Sequence, residues 1–374
     1  MTDMRVVISG FYGFGNMGDE AILQSMIDNL RTRWPDIEIT VLSYQPEETA
    51  QRYKVESCYR GFRRDNRKKI KALKRADVLL SGGGGLLQDT YATKIVSGPL
   101  PYYLIIVLLA KLLGTKVMFF SQGIGPITSR YGKFLMRRIA NKADFITVRD
   151  EPSKILLGTL GVYKPKTAVT ADIVLAFQHK KGKLPHQPLS QLKSRAHVAI
   201  SVRPWFDHTD YFLQIAMALD TLIQEKKIVP VFIPMEGDHD YHASLKVIRQ
   251  MTNGGQCVVL KPEYRANELI TLIENCQLLI GMRLHALIFS ILAGTPFIGI
   301  EYDPKVTSFL QLSGMTAYGQ PLSRLDSDKL VQDAIFLLNH QEDVKSLVKE
   351  KRVILQTQAE QNLDLFAEQF IQDS

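Results

Sequence analysis

Short apolar runs alternate with longer amphipathic segments along most of the chain. The first run, Arg5–Ser9, leads through a glycine-rich turn into a segment whose apolar residues recur at helical spacing. Further strands are predicted at Ile37–Ser43, Val78–Ser81, Lys116–Ser121, Asp144–Val148, Val198–Val202, Val229–Ile233, Cys257–Leu260, Leu278–Gly281 and Pro296–Glu301. Strands that alternate with helices are typical of βαβ units around a parallel sheet, so we predict an α/β protein.

One polar segment interrupts this alternation and predicts two domains. Residues 178–197 are basic and include two prolines, which is typical of a linker. We place the linker at residues 181–197, between Rossmann-like domains at 1–180 and 198–340 that face a cleft, and we expect residues 341–374 to be helical. Ligands of open α/β sheets bind beyond the carboxyl ends of the strands, so the residues that follow strands are the candidates for chemistry.

Composition and charge narrow the classes of protein that the chain can be. Of its 374 residues, 45% are hydrophobic and 22% charged, which excludes a disordered, collagen-like or coiled-coil chain. Lys and Arg number 46 against 38 Asp and Glu, and the resulting charge of +8 favours an anionic partner. Three cysteines without a CxxC pair, and a start that shows no signal-peptide pattern, predict a reduced, cytoplasmic location.

Two segments of the first half bear on nucleic-acid and membrane contacts. Arg60–Arg75 holds nine Lys or Arg and one acid, which is typical of an exposed helix face. It lacks the interleaved aromatic residues of a nucleic-acid platform, so no nucleic-acid partner is expected. Pro99–Leu113 is apolar but shorter than the ~20 residues that span a bilayer, which predicts a buried helix. The alternative is that the two segments dock the protein on an anionic membrane.

Three glycine-rich segments follow predicted strands of the first half. In the first, Gly10–Glu20, the glycines match GxGxxG, but no acidic residue follows about 20 residues later, which disfavours a dinucleotide site. The other two, Ser81–Gly85 and Gln122–Pro126, are predicted to be loops. A binding role is favoured over a structural turn because glycines let the backbone approach a ligand. The ligand-contact candidates in these segments are Gly15, Asn16, Asp19, Gly83, Gly84 and Gln122. The alternative for Asp19 and Glu20 is that they only complement the helix dipole.

Cationic side chains also follow predicted strands. Arg149 ends one strand, and its alternative role is an ion pair with Asp150 or Glu151. Arg283 and His285 lie where a strand meets an apolar helix, at a helix N-terminus that favours anions. Further cations follow two other strands, at Arg203 and Lys305. The segment Gly237–His242 contains metal-capable residues, but no Cys or His cluster completes a site, so we predict a helix-initiating loop and no metal.

Five motifs together resemble one enzyme family. The segments GFYGFGNMGDEAIL, VLLSGGGGLLQD, FFSQGIGP, ITVRDEPS and GMRLHALIFSILAGTPFIGIEYDPKV are similar to those of the polysaccharide pyruvyl transferases, specifically the CsaB type. The resemblance implies a GT-B-like fold and transfer of a pyruvyl group from phosphoenolpyruvate to a sugar, which forms a cyclic ketal without a cofactor. It also implies an N-acetylmannosamine acceptor on a lipid diphosphate, peripheral contact with the inner face of the cell membrane, and a product that anchors S-layer proteins.

The resemblance also implies roles for individual residues. It assigns phosphoenolpyruvate contacts to Arg149, Arg283, Leu284 and His285, a role to Asp19, and a basic position to Lys305. We hypothesise that His285 is the general acid or the partner of the phosphate and that Asp19 is the general base, in either order. The alternatives are a GT-B glycosyltransferase that uses a nucleotide sugar, and a non-catalytic protein that binds anionic glycans or membranes.

Overall fold

The computed structural model describes residues 4–89, 98–180, 195–205, 210–262 and 264–371. The chain divides into two compact units. Unit 1 consists of Met1–Gly15, Asp19–Gln178 and Gln356–Ser374, and unit 2 of Asn16–Gly18 and His179–Leu355. Each unit therefore combines residues from separate parts of the sequence, whereas the predicted domains at 1–180 and 198–340 are each continuous. Residues 181–194 of the predicted linker lie outside the described residues.

Unit 1 contains a seven-stranded parallel sheet in the order β3-β2-β1-β4-β5-β6-β7. The strands are β1 (Arg5–Ser9), β2 (Glu38–Ser43), β3 (Glu56–Tyr59), β4 (Val78–Leu87), β5 (Lys116–Ile124), β6 (Phe145–Val148) and β7 (Lys166–Val169). The helices are α1 (Met17–Arg33), α2 (Pro46–Tyr53), α3 (Asn66–Arg75), α4 (Pro99–Leu112), α5 (Arg130–Ile139) and α6 (Glu151–Thr159). The structure confirms the five strands predicted here. It adds β3 and β7, the outer strands, whose partly exposed residues lack an apolar run.

The prediction of a loop at Ser81–Gly85 is wrong, because these residues lie inside β4. Ser81 pairs with Ser9 of β1, and Gly84 pairs with Gln122 of β5. Gly83 has a positive φ of 74°, and a Cβ there would lie 2.0 Å from the Cγ2 atom of Ile22 in α1. The glycines thus let α1 pack closely over the strand. Likewise, the first three residues of the predicted loop at 122–126 belong to β5.

The apolar and basic segments of unit 1 are packed differently. The prediction of a buried helix at Pro99–Leu113 is confirmed, because α4 contributes much of its length to the core of unit 1. In the basic run, seven of the nine cations are exposed, as predicted, but Arg60 and Lys69 are buried. Lys69 donates a hydrogen bond of 2.5 Å to the carbonyl of Gly61, and burial lowers the pKa of its ammonium group.

Unit 2 contains a six-stranded parallel sheet in the order β10-β9-β8-β11-β12-β13. The strands are β8 (His197–Ser201), β9 (Val229–Phe232), β10 (Val258–Val259), β11 (Leu278–Gly281), β12 (Phe297–Glu301) and β13 (Gly319–Pro321). The helices are α7 (Asp210–Lys226), α8 (Gly237–Gln250), α9 (Ala266–Glu274), α10 (Leu284–Ala293), α11 (Pro304–Leu312) and α12 (Ser327–Asn339). The five strands predicted for this half are confirmed, and the three-residue β13 is an addition.

The last helix, α13 (Gln341–Phe370), begins among residues of unit 2 and ends among residues of unit 1. In unit 1, the fully buried amide of Asn362 donates to the carbonyl of Ala171 and accepts from the hydroxyl of Thr170, at 3.1 and 2.9 Å. The ring of Phe366 packs edge-on against Trp34, which follows α1. None of the described helices combines the length and the hydropathy needed to cross a bilayer.

Candidate functional site

In unit 1 the start of α1 holds the glycine-rich turn in place through Glu20. Its carboxylate accepts a hydrogen bond from the backbone N–H of Gly13 at 2.8 Å and another from the hydroxyl of Tyr53 at 2.7 Å. Glu20 therefore has a structural task beyond complementing the helix dipole. Asp19 lies beside β4, since a Cβ on Gly84 would be 3.3 Å from its Oδ1 atom. The lack of a side chain at Gly84 leaves room for this carboxylate.

The Gln122 side chain is buried and faces the backbone of the same sheet. Its Nε2 group donates to the carbonyls of Gly84 at 2.8 Å and Gly123 at 3.2 Å. The Oε1 atom has no hydrogen-bond partner in the part of the chain that the structure describes. Unit 1 thus brings together Asp19, Gly84 and Gln122. Gly15 is exposed, with nothing within 4 Å of its Cβ position.

Arg149 is buried at the end of β6 between two carboxylates. Its Nε atom lies 3.5 Å from Asp150, which confirms the ion pair considered from the sequence, and its Nη1 atom lies 3.3 Å from Asp172. Asp172 follows β7 and was not a sequence candidate. A Cβ on Gly123 would be 2.7 Å from the guanidinium carbon, so this glycine makes the space that the arginine occupies.

An aromatic cluster around Arg60 was missed in the sequence. The guanidinium carbon of Arg60 lies 4.2 Å from the ring centroid of Tyr102 and 5.0 Å from that of Phe14. Phe14 also stacks on Phe11 at 4.1 Å and on Tyr44 at 4.5 Å. Phe14 and Tyr44 are 37% and 45% exposed, so part of the stack is open to solvent. The density of aromatic residues in GFYGF was the available signal.

In unit 2, Arg283 is buried and held by two carboxylates. It donates from Nε and Nη2 to the two oxygens of Asp240, at 2.9 and 2.5 Å, and its Nη2 atom lies 2.5 Å from Glu236. Burial alone would lower the pKa of Arg283, but the two carboxylates outweigh it and raise the pKa. The sequence predicts that Arg283 binds an anion of the donor. In the structure, Asp240 and Glu236 already balance the charge of its guanidinium group.

Asp240 is the main residue that the sequence reasoning overlooked. The segment Gly237–His242 begins α8, as predicted, but Asp240 is fully buried, and it also accepts from the backbone N–H groups of Met235 and Glu236. It shares a helix face with buried residues three, four and seven positions later: Ala243, Ser244 and Val247. An acid on an apolar helix face signals a buried partner. No group of three His, Cys, Asp or Glu that could hold a metal occurs among the described residues.

The N-terminus of α10 lies against the three-residue segment Asn16–Gly18, which belongs to the same unit. A Cβ on Gly18 would be 2.1 Å from the Nδ1 atom of His285, so only glycine leaves room for this imidazole. The segment is fixed by a hydrogen bond from the N–H of Met17 to the carbonyl of Met235 and by the Asn16 side chain, which accepts from Gly18 at 3.0 Å. Leu284, the first residue of α10, is buried.

Two further cations of unit 2 lie around Tyr302, which follows β12. Arg203 donates to the Tyr302 hydroxyl at 3.2 Å, and the Lys305 ammonium lies 5.4 Å from the Tyr302 ring centroid. The ring of Trp205 packs edge-on against Tyr302 at 4.6 Å. Tyr302 was not a sequence candidate, although it lies between two acids and close to Lys305.

Comparison with known proteins bears on both units. The family model for polysaccharide pyruvyl transferases matches residues 16–304. The chain belongs to this family. The match includes Arg149 in unit 1, and Arg203, Arg283, Leu284 and His285 in unit 2.

This pyruvyl transferase family member is also similar to a curated protein and to solved structures. The amylovoran biosynthesis protein AmsJ of Erwinia amylovora is 22% identical over 92% of this chain and 94% of its own length. The fold is similar to that of a putative UDP-N-acetylglucosamine 2-epimerase of Listeria monocytogenes, with a TM-score of 0.72, 11% identity, and coverage of 99% and 98% of the two chains. Anabaena HepE in complex with UDP and glucose gives a TM-score of 0.65, 12% identity, and coverage of 98% of each chain. These likenesses support the GT-B-like α/β fold expected from the sequence.

Proposed function

We propose that this member of the family transfers a pyruvyl group from phosphoenolpyruvate to two hydroxyls of one sugar and forms a cyclic ketal. The family match over residues 16–304 carries the proposal. The reaction balances without a cofactor. One hydroxyl proton ends on the methylene carbon of the donor, both sugar oxygens bond to its C2 atom, and the other proton leaves with the phosphate. The chain must therefore bind an anion and move protons.

Cations of both units support an anionic donor. Arg203 and Lys305 flank Tyr302 in unit 2, and the buried Arg149 follows a strand of unit 1. Guanidinium groups suit both the phosphate and the carboxylate of phosphoenolpyruvate, because each can accept two parallel hydrogen bonds. We assign Arg283 to holding the backbone before Leu284 and His285, since its own charge is matched by Asp240 and Glu236.

Two side chains are proposed to move the protons. His285 of unit 2 is suited to protonate the donor or to bind its phosphate, because an imidazole changes charge near neutral pH. Asp19 of unit 1 is suited to accept the proton of a sugar hydroxyl, and its neighbour Gly84 leaves that carboxylate uncrowded. The order of the two roles could be reversed.

The acceptor is proposed to be a sugar on a lipid diphosphate carrier, with N-acetylmannosamine as the first candidate and anchoring of S-layer proteins as the use of the product. The partly exposed rings of Phe14 and Tyr44 support a carbohydrate partner, since aromatic side chains at the surface offer apolar area to a sugar ring. Gly15 lies next to Phe14 and is exposed, which fits its predicted place near a ligand.

A product assay tests the proposed reaction. We expect the purified protein to release phosphate from phosphoenolpyruvate only when a suitable sugar is present, and mass spectrometry to show that the sugar gains the mass of one pyruvyl ketal. Nucleotide sugars form the matched arm of the assay. Turnover of a nucleotide sugar without turnover of phosphoenolpyruvate would replace the proposal with a glycosyltransferase, and no turnover of either would favour a binding protein.

We also propose that the protein visits an anionic membrane surface through α3. Arg67 and Lys68 are exposed on this helix, as is the 44% exposed Ile70, and Arg63 and Arg64 are exposed just before it, as is the 48% exposed Phe62. Changing the four cations to Glu should weaken binding to vesicles of anionic lipid by about tenfold or more, because each cation near such a surface contributes ~1 kcal/mol. Sedimentation with vesicles at low and high salt measures this, since salt screens the attraction.

A matched variant tests whether vesicle binding depends on this surface or only on the net charge of the protein. Changing Lys345, Lys349, Lys351 and Arg352 of α13 to Glu alters the charge of the protein by the same amount and should leave vesicle binding within about twofold of the unmodified protein. Lys69 is left unchanged in both variants because it is buried. Equal losses in the two variants, or no vesicle binding by the unmodified protein at low salt, would show that the cations of α3 only solvate a helix face.

A further inference from the structure

Three cations of unit 2 influence the Tyr302 phenol. Arg203, which follows β8, donates to it at 3.2 Å, and the guanidinium carbon of Arg203 lies 5.0 Å from the ring centroid. The ammonium of Lys305 in α11 lies 5.4 Å from the same centroid. Arg283, before α10, is the third cation that acts on the phenol. Trp205 packs edge-on against the ring and helps to fix its orientation.

The three cations differ in how far their charge is already balanced. Arg283 makes contacts of 2.5 Å with Asp240 and with Glu236. The Lys305 ammonium lies 3.4 Å from Asp303, beyond the 2.7–2.9 Å of a strong charge-assisted hydrogen bond. Arg203 has no carboxylate within 4 Å among the residues that the structure describes. Arg203 and Lys305 are therefore the two cations near Tyr302 whose charges are least balanced by carboxylates.

The nearby cations favour the charged form of the phenol. Burial alone would raise the pKa of Tyr302, but the charges of Lys305, Arg203 and Arg283 outweigh burial and lower the pKa below its usual value. The same field that favours a phenolate favours any other negative group at this place. Because Arg203 donates to the phenol oxygen, the phenol proton points elsewhere, and no described residue accepts it.

We propose that Tyr302 is a further donor-binding residue, whose phenol donates a hydrogen bond to a phosphate group that Arg203 and Lys305 attract. A phosphate dianion balances these two cations and has enough oxygens to accept from all three side chains. The inference rests on the proposed function, which supplies a phosphate ester as substrate and free phosphate as product. It adds a neutral hydrogen-bond donor to the donor-binding residues Arg203 and Lys305, which are both cations.

This arrangement links the binding of phosphate to the proton on Tyr302. A bound phosphate keeps the phenol protonated, because it accepts the proton's hydrogen bond and adds negative charge beside the oxygen. As the pH rises through the lowered pKa of Tyr302, the phenolate competes with phosphate for the same cations, and affinity falls. The charged groups that face the phenol are Arg203, Lys305 and Arg283, together with their carboxylate neighbours Asp303, Asp240 and Glu236.

The test compares Tyr302→Phe with Tyr318→Phe in the full chain. Tyr318 is a partly buried tyrosine of the same unit whose hydroxyl has no hydrogen-bond partner among the described residues, so its loss controls for the removal of a phenol. We expect Tyr302→Phe to bind inorganic phosphate and phosphoenolpyruvate about tenfold more weakly at neutral pH, because a hydrogen bond to a charged group is lost. Tyr318→Phe should bind both as the unmodified protein does.

A second measurement reports on the phenol directly. In an alkaline titration followed by phenolate absorbance, phosphate should suppress the first tyrosine ionisation of the unmodified protein and of Tyr318→Phe, but not that of Tyr302→Phe. Unchanged phosphate affinity in Tyr302→Phe, no phosphate effect on the titration, or no phosphate binding by the unmodified protein would each overturn the inference. These readouts need no sugar. A failure to form a ketal would therefore refute the proposed function while leaving phosphate binding by Tyr302 to be judged separately.

Discussion

Replacing Arg283 with alanine should lower the free energy of unfolding by about 3–5 kcal/mol, because it leaves the buried carboxylate of Asp240 without its cation. Asp240 is fully buried, and the arginine supplies two of its hydrogen bonds. Its remaining partners are the two backbone N–H groups of Met235 and Glu236, which carry no full charge. Urea denaturation monitored by circular dichroism would measure the loss.

The matched control for this prediction is Arg203→Ala. Arg203 lies in the same unit and also follows a strand, but it has no carboxylate partner in the described part of the chain. Its removal should cost less than ~1 kcal/mol, because no buried charge is left behind. If the two variants were equally stable, the pair between Arg283 and Asp240 would not stabilise unit 2, and a direct contact of Arg283 with the donor would become the better account.

Replacing His285 with glutamine should reduce turnover by about 100-fold or more, the usual contribution of a general acid or base. Glutamine keeps a polar side chain of similar size beside Gly18, so the start of α10 should be preserved. Release of phosphate from phosphoenolpyruvate in the presence of the sugar measures turnover. If His285 works in its protonated form, activity of the unmodified protein should fall as the pH rises through the imidazole's titration, and the variant should lack this fall.

His242→Gln provides the control for His285. His242 is an exposed histidine of α8 in the same unit, and its Nδ1 atom lies 2.7 Å from the carbonyl oxygen of Asp238. Its replacement should leave both turnover and the pH profile unchanged. Turnover of His285→Gln within about tenfold of the unmodified protein would remove the residue from the proton transfers and leave it, at most, a binding role.

Periodicity predicted most of the fold because its strands are buried on both faces. Ten predicted strands, such as Arg5–Ser9 and Leu278–Gly281, coincide with observed ones, apart from shifts at their ends. The three missed strands lie at the edges of the sheets, where partly exposed residues leave no apolar run; Glu56–Tyr59 is an example. The glycines of β4 wrongly predicted a loop, since a sequence does not tell whether a glycine faces a ligand or a helix.

The sequence predicts where the cations of the candidate site lie along the strands. It does not predict which carboxylates pair with them. Strand ends correctly located Arg149, Arg203, Arg283 and Lys305 next to the carboxyl edges of two sheets. Which of these cations are neutralised depends on residues far away in the sequence, since Asp240 precedes Arg283 by 43 positions. A titratable side chain such as Tyr302 acquires its properties only from neighbours that the fold assembles, so its sequence context gave no comparable signal.

The final helix has a consequence for how the chain is made. Unit 1 includes residues from the first strand and from the C-terminal half of α13, and the buried Asn362 completes hydrogen bonds with Thr170 and Ala171. During translation, the whole of unit 2 is synthesised before this part of the helix. The larger sheet therefore waits for its last packing partner, exposing apolar surface to chaperones in the meantime, although its strands are synthesised first.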